Sequence, residues 1–110
     1  MNQDDIRGLA LSLPEAEEHP HFDRASFRVR GKIFATLPPR EKYGEDLVVL
    51  MIPPEIKESL LETDAGAIVS LGNWERPGVV QLATARIESA KLADLVRASW
   101  RRVAPKKLQI

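Results

Sequence analysis

The chain has 110 residues, of which 44% are hydrophobic and 29% charged, and its formal net charge is zero. This length and composition predict one soluble domain over residues 1–110. The chain has no cysteine, which excludes a disulfide framework, a thiolate zinc site and a cysteine nucleophile. No apolar run approaches the roughly 18 residues that cross a bilayer, and the acidic N-terminus lacks the basic start of a secretory signal. We therefore expect a cytoplasmic protein with no membrane contact.

Charge is segregated along the chain although the total is zero. Residues 1–23 carry six acids and one base, and residues 24–40 carry five bases and no acid. Residues 41–75 carry eight acids and two bases, and residues 76–110 carry eight bases and two acids. Zero net charge argues against a strongly basic nucleic-acid-binding protein. On folding, the blocks either cancel one another or sort onto different faces, and the sequence leaves both outcomes open.

The first half of the chain predicts one helix and two strands. Apolar residues at helical spacing over 4–13 predict a short amphipathic helix, capped by one of its first two aspartates. The polar residues 15–23 predict an acidic loop. From Arg24 the apolar period becomes two, which predicts two strands joined by a tight turn at Gly31-Lys32. A polar loop follows the second of these strands.

The second half predicts three further strands and two helices. The unbroken apolar run at 47–52 predicts a strand in mid-sheet, and the Pro-Pro pair at 53–54 opens a helix. Residues 67–71 and 79–83 predict two more strands, and Ser89 is a candidate N-cap for a last helix. The order α-β(3)-α-β(2)-α predicts an α+β two-layer sandwich with helices on one face of an antiparallel sheet.

Five motifs follow one another along nearly the whole chain. They are the turn SLPEAEE, the hairpin FRVRGKIFATL, the strand-to-helix step LVVLMIPPEI, the region of Trp74 and the last segment LVRASWRRVAPKKL. This series resembles the MmcQ/YjbR family of small bacterial proteins. The resemblance implies the same two-layer α+β arrangement. It also implies a DNA partner, because the family is described as DNA-binding.

The strand that begins at Arg24 carries a row of basic side chains. Arg24, Arg28 and Arg30 fall on one face by the two-residue period, and Lys32 lies beside them in the turn. Such a row neutralises phosphates, which is the main source of sequence-independent affinity for nucleic acid. The open alternative is a solvated outer strand face, where charges prevent edge-to-edge aggregation. With the resemblance, the row predicts weak, salt-dependent and weakly sequence-selective DNA binding.

The last helix carries a second basic group, and the chain has two tryptophans. Arg97 and Arg101 lie one helical turn apart and Arg102 follows them, although cations near a helix C-terminus also favour the macrodipole. Trp74 lies between two turn signals and is a candidate base-stacking platform, with packing as its alternative. Trp100 lies beside the apolar stripe of the last helix and is predicted to belong to the core.

Motifs for chemistry are missing from the sequence. His19 and His21 are two residues apart, which matches neither a helix face nor a standard zinc spacing. No glycine-rich phosphate-binding motif is present, and no nucleophile, base and orienting group share a recognisable spacing. We therefore expect no metal, no cofactor and no enzymatic activity.

Two other functions stay open. The same two-layer architecture is similar to that of type III secretion chaperones, so a protein-interaction module that uses an exposed sheet or helix surface is the main alternative. An exposed apolar patch around Trp74 would favour it. Binding of a small ligand in a pocket under the loop PPREKYGED, residues 38–46, is a more distant third. A monomer or a weak dimer is expected.

Overall fold

Five antiparallel strands form one sheet in the computed structural model, which describes residues 1–70 and 76–109. The strands follow chain order across the sheet and are β1 Ala16–His21, β2 Arg24–Val29, β3 Lys32–Leu37, β4 Leu47–Met51 and β5 Val79–Ala83. The α-helices of the described residues are α1 Gln3–Ser12, α2 Arg40–Tyr43, α3 Pro54–Thr63 and α4 Ser89–Val103. The predicted α+β sandwich with an antiparallel sheet is thereby confirmed.

One face of the sheet is covered by α1 and α4. Phe27 and Val29 of β2 and Leu50 of β4 alternate onto this face, where they are fully buried. They belong to one apolar cluster with Leu92 and Val96 of α4. Burial of large apolar side chains between the two layers is the main source of the stability of such a fold. The last helix therefore has its predicted position against the sheet.

The opposite face of the sheet carries a row with one residue from each of four strands. Ser26 of β2 is paired with Thr36 of β3, Thr36 with Val49 of β4, and Val49 with Gln81 of β5. Because paired residues point to the same side, this row lies on the face that α1 and α4 leave open. We call it the open face. Three of these four residues are polar although all four are buried.

The loop prediction for residues 15–23 is wrong, because residues 16–21 form β1. This strand pairs with β2 along its whole length, from Ala16 opposite Val29 to His21 opposite Arg24. It lies at the edge of the sheet, and its middle residues are exposed on both faces. Alternation of apolar and polar residues is therefore absent. Pro20 is tolerated there because an edge strand needs hydrogen bonds on one side only.

Residues 67–71 do not form the predicted strand as far as the structure describes them. Residues Ala65–Ala67 form a 3-10 turn, and Ile68 makes an isolated bridge with Leu82 of β5. Residues 71–75 lie outside the described part of the chain. The polar loop predicted after β3 instead contains the single helical turn α2.

Turns and caps differ by one to three positions from those predicted. The β2–β3 turn is formed by Arg30 and Gly31, with φ angles of 51° and 83°. These values fit a type I′ hairpin turn, and Lys32 is the first residue of β3. Asn2 caps α1, since its side chain accepts a hydrogen bond from the amide of Asp5 at 2.8 Å. Ser89 is the first residue of α4, and its hydroxyl accepts from the N-terminal amine at 3.2 Å.

The alternating charge blocks cancel in several places. Glu15 pairs with Arg30 across the first block boundary, with an N–O distance of 3.1 Å. Glu45 pairs with Arg86 of the last block at 3.1 Å. Asp64 pairs with Lys91 between the third block and the last. These are contacts between residues far apart in sequence, so the charge pattern supports the tertiary fold.

The pair of Asp64 and Lys91 predicts a pH dependence of stability. Hydrogen bonds from the Lys91 ammonium and the Thr63 hydroxyl hold the pKa of Asp64 below its usual value. Because the folded pKa is the lower one, this stabilisation is present above the unfolded pKa of about 4 and is lost as pH falls through the folded pKa. Asp64→Asn is therefore expected to reduce the decrease in Tm between about pH 5 and pH 3. Thermal unfolding followed by circular dichroism measures this, and an equally steep decrease in the variant would contradict the assignment.

Candidate functional site

Two of the four predicted basic residues of the hairpin lie on the open face of β2. Arg24 and Arg28 alternate with the buried Phe27 and Val29, as the two-residue period predicts. The Arg24 guanidinium donates to the neighbouring Asp23 at 3.1 Å. The Arg28 guanidinium donates to the hydroxyl of Ser26 at 3.0 Å and pairs with no described carboxylate. Arg28 is therefore a half-buried cation that is available to an anion.

The other two basic residues of the hairpin differ from each other. Arg30 is in the turn, and its guanidinium donates two hydrogen bonds to the carboxylate of Glu15 at 3.1 and 3.2 Å. These bonds lower the pKa of Glu15, and the charge of Lys107 lowers it further. Lys32 is exposed at the start of β3, and no described side chain pairs with it.

The basic residues of α4 belong to the other layer of the fold. Arg97 pairs with Asp94 on its own helix at 3.2 Å, and Arg101 is exposed. The Arg102 guanidinium donates to the backbone carbonyl of Ile52 at 2.6 Å and to that of Gly78 at 3.2 Å. Because α4 packs on the covered face, the sheet separates these residues from the basic residues of β2. The two predicted basic groups do not form one surface.

The tryptophan predictions have different outcomes. Trp100 is 6% exposed and belongs to the core cluster, as predicted. Its indole nitrogen donates to the carbonyl of Pro14 at 3.0 Å. Trp74 lies outside the described residues, so its prediction as a stacking platform stays a prediction.

A cleft of about 570 Å³ lies on the open face beside the basic strand. Its floor is formed by Thr36, Val49 and Gln81 of the cross-strand row, with Met51 and Val79 next to them. Aromatic and charged residues line its rim: Phe22, Tyr43, Asp23, Arg24, Lys42 and Arg76. The floor combines apolar side chains with two polar ones, a combination that is typical of ligand sites.

Two aromatic residues on the rim were not predicted as site residues. Phe22 is 94% exposed. Its backbone φ angle is 58°, a left-handed value that residues with bulky side chains rarely adopt. The ammonium of Lys42 lies 5.6 Å from the ring centre of Tyr43, within the range of a cation–π contact. Exposure and backbone strain together at Phe22 suggest a binding role, since such strain is concentrated at functional sites.

The polar floor of the cleft had a signal in the sequence. Gln81 interrupts the otherwise apolar strand β5, and Thr36 interrupts the apolar part of β3 that follows Lys32; a buried polar residue there must find a partner or a cavity. Neither was predicted as a site residue, because the row that joins them requires the pairing of three strands. Among the described residues, no three His, Cys, Asp or Glu side chains are grouped so that they could hold a metal ion. His19 is paired with Glu17 at 3.3 Å.

The structure is that of a small α+β protein whose sheet is covered by α1 and α4 on one face and has the open face on the other. Comparison with known proteins places it in a family. The YjbR family model matches residues 11–102, and the chain belongs to the YjbR family. The resemblance inferred from the sequence motifs is thereby confirmed. No curated protein matches the chain. Within the described residues, no helix has the length and apolarity that crossing a membrane requires.

Two solved structures share the fold. Protein DR2400 of Deinococcus radiodurans has a TM-score of 0.81 at 20% identity, with 96% of this chain and 80% of that chain covered. A protein from Pseudomonas syringae has a TM-score of 0.74 at 21% identity, with 94% of this chain and 100% of that chain covered. At this identity the similarity is one of fold alone.

Proposed function

We propose that the protein is a non-enzymatic, cytoplasmic DNA-binding protein whose contacts are phosphate-directed and weakly sequence-selective. The observation that carries the proposal is Arg28, a half-buried cation on the open face without a described carboxylate partner. Membership of the YjbR family supports the proposal, because the resemblance to that family implies a DNA partner. Arg24 and Lys32 extend the positive charge to either side of Arg28 along the hairpin.

Arg24 is available to a phosphate in spite of its contact with Asp23. This pair is partly exposed, and exposed ion pairs contribute only about 0–1 kcal/mol. A phosphate with its larger charge therefore competes effectively for the guanidinium. Arg30, by contrast, holds Glu15 with two hydrogen bonds, and this neutralises it in the unbound protein.

The affinity is expected to be modest. The acidic residue Glu17 of β1, which contacts His19, lies next to β2, and the chain has no net positive charge. Only the few local cations therefore attract DNA. Each neutralised phosphate contributes about −0.9 to the slope of log affinity against log salt concentration. Two or three contacts should give a slope of about −2 to −3.

Replacing Arg28 and Lys32 together by alanine is expected to weaken DNA binding about tenfold at the lower salt concentration and to reduce the salt slope by about 2. The reason is the loss of two phosphate contacts. Fluorescence anisotropy of a labelled duplex and a labelled single strand, at about 50 and 200 mM salt, measures both quantities.

The matched control replaces Arg97 and Arg101, which lie on the other layer of the fold. This variant removes the same charge, so it separates a local contact from a general loss of positive charge. Its affinity should stay close to that of the unmodified protein. An equal loss in both variants, or no loss in the Arg28 and Lys32 variant, would exclude β2 as the DNA-binding surface.

A protein-interaction module is the second candidate function. The observation that favours it is Phe22, a large apolar side chain that is 94% exposed at the β1–β2 turn. Exposed aromatic residues are common anchors of protein interfaces. Absence of DNA binding at the lower salt concentration would favour this candidate.

A further inference from the structure

The floor of the open-face cleft contains two buried polar side chains with unused hydrogen-bonding groups. Thr36 and Gln81 are each 4% exposed. The Gln81 side-chain amide donates to the carbonyl of Ser70 at 3.5 Å, which is long for a hydrogen bond. The Gln81 side-chain carbonyl and the Thr36 hydroxyl make no hydrogen bond to another described residue, and neither atom is fully buried, so both groups face the cleft. Two hydrogen-bonding groups on the floor of the cleft are therefore available to a ligand.

The arrangement of the floor fits a flat ring. Thr36 and Gln81 lie on either side of Val49 in the cross-strand row. Neighbouring strands are about 4.8 Å apart, so the two polar residues are separated by about 10 Å. This spacing leaves the apolar surface of Val49 and Met51 between them for a planar group. A hydroxyl and a carboxamide can each donate and accept, which matches the polar edges of a nucleobase.

The rim adds stacking and positive charge. Phe22 and Tyr43 present aromatic rings at the mouth of the cleft, and a base stacks favourably on such rings. The cationic groups of Arg24, Lys42 and Arg76 line the same mouth. The cleft therefore combines apolar, hydrogen-bonding, aromatic and cationic groups, and a ligand that fits all of them has a polar aromatic ring and a negative charge.

We propose that this cleft binds a nucleotide, with the base over Val49 between Thr36 and Gln81, and the phosphate at Arg24 and Lys42. The nucleotide is either a free mononucleotide or one unpaired unit of a single strand, since both have the same chemistry. The inference goes beyond the proposed DNA contact. It concerns β3, β4 and β5, and it does not require Arg28.

Nuclear magnetic resonance titration of the ¹⁵N-labelled protein tests the proposal. The probes are the four common nucleoside monophosphates, inorganic phosphate alone, and a single strand of about ten nucleotides, which matches the site size of small single-strand-binding domains. At least one mononucleotide is expected to give saturable shifts at the side-chain amide of Gln81. Its affinity should exceed that of inorganic phosphate by about tenfold, because stacking on one aromatic ring gives at least that factor.

Two variants and one control make the test specific. Phe22→Ala removes an exposed ring and should leave folding intact while weakening nucleotide binding about tenfold. Gln81→Leu preserves the side-chain size and removes its hydrogen bonds to the base, so a similar loss is expected. Leu61→Ala removes an exposed apolar side chain from α3, 51% exposed, and should leave the affinity unchanged.

Each outcome decides the proposal. Mononucleotide binding that depends on Phe22 supports it, even if duplex binding is absent and the proposed DNA function fails. Binding of the oligonucleotide alone, with shifts at Gln81, also supports it and identifies a single strand as the source of the nucleotide. The proposal would be overturned if inorganic phosphate bound as tightly as any nucleotide. It would also be overturned if the chemical-shift changes occurred near Arg28 and not at Gln81. Failure of all probes to saturate at about 10 mM would do the same.

Discussion

Replacing Gly78 by alanine is expected to lower the free energy of unfolding by about 2–4 kcal/mol. Gly78 has a φ of 81°, and an alanine in this region costs about 1–2 kcal/mol. A Cβ atom there would lie 2.7 Å from Nη1 of Arg102 and 3.1 Å from the carbonyl oxygen of Ile52. The guanidinium must then withdraw from the two buried carbonyls that it binds, which adds the loss of charged hydrogen bonds.

Two other glycines distinguish the cost of the positive φ angle from the cost of the contact with Arg102. Gly31 has a φ of 83° but open space around its Cβ position, so Gly31→Ala should show the backbone term alone. Gly66 has open space and no positive φ, so Gly66→Ala should be close to neutral. Urea denaturation followed by circular dichroism gives all three free energies. Equal losses for Gly78→Ala and Gly31→Ala would show that the contact with Arg102 contributes nothing.

Arg102 was predicted to contact DNA, and the same experiment examines its other role. If the main role of Arg102 is to hydrogen-bond the carbonyls of Ile52, just after β4, and Gly78, just before β5, then Arg102→Ala should destabilise the protein. The double variant with Gly78→Ala should then be less destabilised than the sum of the two single variants, because each removes the same hydrogen bonds. The DNA affinity of Arg102→Ala, measured at a temperature where it is folded, tests the predicted contact separately.

The sequence predicts most of the fold because most elements carry a clear apolar period. Strand β2 alternates, β4 is an unbroken apolar run, and α4 has a buried stripe, and all three were found where predicted. Strand β1 was missed because an edge strand exposes both faces and carries no such period. Ile68 lies in an apolar segment that reads as a strand, but it makes a single bridge, because tertiary packing decides where pairing ends.

The site was predicted less completely than the fold, for a physical reason. The common face of Arg24 and Arg28 follows from the period of one strand, and the structure agrees with it. The pairing of Arg30 with Glu15 joins two elements that the sequence does not place side by side. The cleft requires the register of β3, β4 and β5 together with the turn at Phe22, and none of these can be read from a local pattern.

Trp100→Ala is expected to lower the free energy of unfolding by about 3–5 kcal/mol. The side chain is 6% exposed within the apolar cluster, so its removal leaves a large cavity. Trp100→Phe should cost less, about 1–3 kcal/mol, because it keeps most of the apolar volume and loses the hydrogen bond to Pro14. Urea denaturation gives both values, with an intermediate loss for the phenylalanine variant.

The DNA affinity of Trp100→Phe distinguishes the two roles that a tryptophan can have in this protein. A core residue affects binding only through folding, so the folded variant should bind labelled DNA as the unmodified protein does. Its indole is turned towards Pro14, in the layer of α1 and α4, whereas the cleft and Arg28 lie on the other side of the sheet. If the folded variant bound DNA more weakly, the result would instead assign nucleic-acid contact to the helical layer, with Arg97 and Arg101 rather than β2 as the candidate surface.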